Sequence, residues 1–109
     1  MGSIAIKLNP SKLNNPDADL RYIIPEKIEE LTNNVVTEDG YDYLDDEENS
    51  MVIFLQSDNP QNDVMKVLEI LKTEDFLGNQ IYDSGIVAIE ENNGYRVVHP
   101  EKFDEEFLV

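Results

Sequence analysis

The chain has 109 residues, 24 acidic against 8 basic, a formal charge of −16, 40% hydrophobic residues and no cysteine. That length bounds one domain, residues 1–109, with one core. The absent cysteine excludes disulfides and thiolate chemistry, and the negative field repels nucleic acid and anionic membrane while attracting cations and basic proteins.

No stretch approaches the roughly 20 apolar residues of a spanning helix. Met1-Gly2-Ser3-Ile4 carries no basic segment of the kind that opens a secretory signal. Ile6 stands where a myristoylation motif after Gly2 needs Ser or Thr. The expectation is a cytoplasmic protein with no membrane partner.

Taken in order, Ser3–Leu8 alternates Ile4, Ile6 and Leu8 against Ala5 and Lys7, which predicts a strand with one wet face. Asn9-Pro10-Ser11 and Asn14-Asn15-Pro16-Asp17 are turn clusters. Leu20, Ile23, Ile24, Ile28 and Leu31 then fall at helical spacing, interrupted by Pro25. Two readings follow: a kinked helix through Pro25, or a short turn and then a helix starting at Pro25 and ending near Asn33. The second puts Glu26 in the first turn, where the helix dipole favours a carboxylate, and is the one expected.

Val35–Leu44 reads as a second strand with a bulge or a bend at Asp39-Gly40, with Tyr41 and Tyr43 on one face and Asp42 and Leu44 on the other. A polar loop leads into Met51–Leu55, five apolar residues without alternation, which suits a strand covered on both faces or a central strand covered on one. Two strands across a short polar loop predict a hairpin. Asn59 can cap a helix that Pro60 opens, and Val64, Val67, Leu68 and Leu71 form its apolar stripe.

Phe76 precedes a Gly78-Asn79 turn and is expected to tuck under that helix. Ser84–Glu90 and Tyr95–Val98 read as strands joined through Asn92-Asn93-Gly94. Glu101–Val109 is an acidic tail that Phe103, Phe107 and Leu108 either dock or leave frayed. The order β-α-β-β-α-β with an extra C-terminal strand predicts an α+β, ferredoxin-like sandwich, an antiparallel sheet with two helices on one face.

Between Lys27 and Lys66 there is no basic residue and there are eleven acids, seven of them from Glu38 to Glu48. Like charges so close repel one another, a cost that suits either a solvated hairpin tip or a face bound to something cationic. Tyr41 and Tyr43 sit inside this run, and tyrosine among charge is a frequent interface pairing. The candidate partner-binding residues are therefore Tyr41, Asp42, Tyr43, Asp45, Asp46, Glu47 and Glu48. No metal is expected, because Asp45–Glu48 lacks the alternating ligands and central glycine of a calcium loop. His99 is the only histidine and has no visible nucleophile to serve. No cofactor and no catalytic residue are expected.

The size and charge, the element order and the run Asp39-Gly40-Tyr41-Asp42-Tyr43 ahead of a buried strand resemble small acidic bacterial immunity proteins of polymorphic or contact-dependent toxin systems. Asp75-Phe76-Leu77-Gly78-Asn79 and Tyr95-Arg96-Val97-Val98-His99-Pro100 resemble pieces of the same families. The resemblance implies a protein-protein interaction module that neutralises a basic toxin, often a nuclease domain, without binding nucleic acid itself. Two alternatives stand beside it. One is a small ligand-binding domain or enzyme with Tyr95, His99 and a carboxylate lining a pocket; the other is a DNA mimic.

Overall fold

Strand β1 (Gly2–Leu8) is the middle of the molecule. In the computed structural model, which describes residues 2–47, 49–92, 94–101 and 107, it pairs antiparallel with β3 (Met51–Ser57) on one side and β4 (Gly85–Glu91) on the other. Strand β2 (Thr37–Tyr43) extends the sheet beyond β3, and β5 (Gly94–His99) extends it beyond β4. The result is an α+β fold with a five-stranded antiparallel sheet, ordered β2-β3-β1-β4-β5. Among the described residues three α-helices complete it: α1 (Leu20–Leu31), α2 (Pro60–Thr73) and the short α3 (Ile81–Ser84). Among the described residues no helix is long and apolar enough to cross a membrane.

The alternation of β1 decides which face is packed. Ile4, Ile6 and Leu8 align with Leu55, Ile53 and Met51 of β3, and Ile4 and Ile6 with Ile89 and Val87 of β4. These side chains meet Leu20, Ile24 and Ile28 of α1 and Val64, Val67 and Leu71 of α2 in one core. Both long helices therefore cover the same face of the sheet.

The other face departs from the expectation of a wet surface. Ala5, Val52 and Ala88 point away from the helices, yet all three are fully buried. Ala5 lies opposite both Phe54 and Ala88 in the register, and Ala88 lies opposite Val97. All three lie in the inner strands of the sheet, so alternation along β1 does not translate into exposure.

Helix α1 is the main correction. It is one helix from Leu20 to Leu31 with Pro25 inside it and buried, not a helix that begins at Pro25. Leu20, Ile24 and Ile28 make a continuous stripe at i, i+4 and i+8, all fully buried. An interior proline costs about 3 kcal/mol. Burying those three side chains returns about 1.5–3 kcal/mol each, so the stripe wins. The helix stops where expected: Asn33 and Asn34 take the left-handed conformation, at φ 54° and 63°, which asparagine tolerates.

Helix α2 starts as the sequence predicts. The Asn59 side chain accepts from the Asn62 amide, with Pro60 at the first helical position. Its buried stripe is Val64, Val67, Ile70 and Leu71, whereas Leu68 is only partly covered. Phe76 is buried as expected, but the connection after it holds α3, which no periodicity announced. Asn79, also buried, ties this connection to the first loop. Its amide nitrogen donates to the Asn15 and Phe76 carbonyls at 2.8 and 2.9 Å, and its oxygen accepts from the Asn15 amide at 2.8 Å.

Candidate functional site

Strand β2 is an edge strand, paired only with β3, and beyond Thr37 all of it is exposed. Its register breaks between Glu38 and Tyr41, where Gly40 takes φ 93°. The break falls at Asp39-Gly40, where a bulge or a bend is expected. After it, Tyr41 lies opposite Ile53 and Tyr43 opposite Met51, so both rings stand on the helix side of the sheet. Asp42 lies opposite Val52 and faces the other way.

The first turns of α1 bring two more residues to the same edge. The Arg21 guanidinium carbon sits 4.7 Å from the centre of the Tyr22 ring and 5.2 Å from that of Tyr41. Its Nη1 donates to the Tyr43 hydroxyl at 3.0 Å. Tyr22 meets Tyr41 edge-on at 5.9 Å, and Tyr41 meets Tyr43 edge-on at 6.0 Å. One cation thereby fixes three rings from two elements. The negative ring faces attract the guanidinium, which offsets a buried Arg21 Nε that has no hydrogen-bond partner among the described residues.

Although mutually packed, Tyr22, Tyr41 and Tyr43 remain 47, 41 and 45% exposed. Their rotamers are held while their outer surface is open. A partner that lands on them does not have to order them, and that lowers the entropic cost of association.

The same contacts tune ionisation. Polar contact with the Tyr22 hydroxyl first, then with that of Tyr43, holds the Arg21 guanidinium above its usual range. Arg21, then Tyr41, holds the Tyr22 phenol below the ordinary value. Tyr22 in turn pushes Tyr41 up.

The seven residues expected from the sequence do not form one surface. Tyr41 and Tyr43 are together, and Asp42 turns to the opposite face, where its carboxylate accepts from the Tyr43 amide at 2.8 Å. Asp45 and Glu47 are exposed in the loop after the strand. Asp46 is a structural residue: its carboxylate accepts from the Ser50 amide at 2.8 Å and closes that loop, and this bond holds its pKa below the usual carboxyl range. Glu48 lies outside the described residues. Arg21 and Tyr22 were not anticipated, because a helix begun at Pro25 leaves them in a turn with no defined direction.

Among the described residues, Tyr95 and His99 do not line one pocket. The Tyr95 hydroxyl donates to Ser3 Oγ at 3.0 Å on the face away from the helices. His99 lines a groove of about 620 Å³ between α2 and β5, stacked 4.1 Å from the Tyr82 ring, with Nε2 2.6 Å from the Tyr82 carbonyl oxygen. The acids of that groove, Glu69 and Glu101, are exposed. Among the described residues no group of three or more His, Asp or Glu side chains converges as a metal site requires.

No family model matches the chain, and no curated protein or solved structure shows a significant similarity to it.

Proposed function

We propose that this chain is a stoichiometric protein inhibitor, an immunity protein that neutralises a basic toxin domain, with the β2 edge and the start of α1 as its contact face. The observation that carries the reading is the exposed triad Tyr22, Tyr41 and Tyr43 held on Arg21, with Tyr41 and Tyr43 inside the interval from Lys27 to Lys66 that has eleven acids and no base. Tyrosine and arginine are the residue types that dominate binding energy in interfaces. Exposed carboxylates at Asp42, Asp45 and Glu47 supply the steering field for a cationic partner. A toxin nuclease, whose nucleic-acid groove is itself cationic, fits that field.

The scaffold we take to be ferredoxin-like with one added strand. That is supported by the order β2-β3-β1-β4, in which α1 leads from β1 to β2 and α2, with α3, from β3 to β4, each time past one intervening antiparallel strand. The fold alone does not select a function.

Affinity capture tests the proposal. Immobilised native protein and the variant carrying Tyr41→Ala and Tyr43→Ala are exposed to lysate of the producing cells and eluted with a salt gradient. The expected result is one basic protein retained by the native chain, with affinity reduced at least about tenfold for the variant. Retention of the same protein by both chains would remove this edge from the interface. A purified partner whose activity is unchanged by saturating native protein would end the inhibitor reading.

A further inference from the structure

The face of the sheet opposite the helices carries a feature unrelated to the tyrosine edge. Ala5 and Ala88 are side-by-side register partners in β1 and β4, and both are fully buried. Two methyl groups on neighbouring strands leave a shallow floor where larger side chains would otherwise stand. Phe54 and Val97 flank that floor as the next residues across the sheet. Phe107 lies over the same face, its ring 5.9 Å from that of Tyr95 and 5.8 Å from the Lys7 ammonium. Tyr95 pairs with Glu90 of β4 and Lys7 with Ile86, so the two contacts bracket the Ala5–Ala88 level diagonally.

The geometry points to a socket for an aromatic side chain, with an alanine floor and a rim of Phe54, Val97, Tyr95 and Lys7, occupied in cis by Phe107 of the chain's own C-terminal segment. Reach permits it. Glu101 to Phe107 is six residues, a span of up to about 20 Å, against about 10 Å between β5 and β1. The chemistry fits as well. A ring burying its face on alanine gains apolar contact, and its negative face attracts the Lys7 ammonium. The occupant is thus an aromatic residue on an acidic segment, and any other segment of that kind must displace Phe107 to bind.

The test uses a synthetic peptide with the sequence of residues 102–109, titrated into the full-length native chain and into full-length Phe107→Ala, read by amide shifts of Lys7, Ala88 and Tyr95. The socket predicts saturable shifts at these three positions in the variant, at least about tenfold tighter than in the native chain, since the native site is already filled. A peptide with the same Phe107→Ala change is expected to give none. The full-length variant Ala88→Leu, which fills the floor, is expected to move the Lys7 and Tyr95 signals as Phe107→Ala does. Equal affinity for native chain and variant, no saturable shift in the variant, or shifts at Tyr41 and Tyr43 instead would overturn the socket. Native signals that change on dilution would assign the occupant to a second copy and overturn the cis assignment.

Discussion

Leu77 is the clearest departure from ordinary residue chemistry. It takes φ 56°, a left-handed conformation that costs a side chain with a Cβ about 1–2 kcal/mol. The conformation is imposed by its neighbours. The Asn15 side-chain Nδ2 donates to the Leu77 carbonyl at 3.1 Å, and the Gly78 backbone amide donates to the Asp75 carboxylate at 3.0 Å. Leu77 itself is exposed and gives little burial in return. Leu77→Asn, a residue that tolerates this region, is expected to stabilise the fold by about 0.5–1 kcal/mol in chemical denaturation. Asp46 makes a prediction with a sign. Its folded pKa is depressed by the Ser50 amide, so its stabilising contribution is present above the unfolded carboxyl value of about 3.9 and is lost as pH falls through the lower folded one. The stability difference between native protein and Asp46→Asn is therefore expected near neutrality and closes in acid. A difference that stays constant across that range contradicts the assignment. From the sequence, Asp46 looked interchangeable with Asp45 and Glu47. The hydrogen bond to the Ser50 amide separates the loop-closing carboxylate from its exposed neighbours.

At the scale of elements, strong local chemistry was legible and tertiary trade-offs were not. Asn59-Pro60 announced the start of α2, the unbroken run Met51–Leu55 announced a buried inner strand, and Asp39-Gly40 announced the irregularity in β2. Helix α1 was misread because proline chemistry is local, whereas the burial of Leu20, Ile24 and Ile28 that overrides it depends on a sheet not visible in the sequence. That error hid Arg21 and Tyr22, half of the aromatic cluster. The same balance yields a prediction. Pro25→Ala restores an amide donor to the helix and removes the ring clash, but it shrinks a buried side chain. Since the helix penalty of about 3 kcal/mol exceeds the burial of two methylenes, the variant is expected to gain up to about 1 kcal/mol, read as a higher denaturation midpoint. A loss of stability would mean that Pro25 packing, rather than the stripe alone, holds α1 in place.

Over the whole molecule, surplus charge is the dominant fact. Three ion pairs occur among the described residues: Lys27–Glu74, Lys66–Asp63 and Arg96–Glu91. None is on the β2 edge. There the one basic side chain described at the aromatic cluster, Arg21, is spent on tyrosine rings and a hydroxyl. Exposed Asp42, Asp45 and Glu47 thus set a negative field around the packed aromatic rings. The direct test of this account is the association rate of the captured basic partner, measured against salt for the native chain and for the variant Asp42→Asn, Asp45→Asn, Glu47→Gln. The account predicts a native rate that falls about tenfold or more from low to high salt, and a variant that is slower at low salt and meets the native rate at high salt. Equal rates for the two chains at low salt would contradict it.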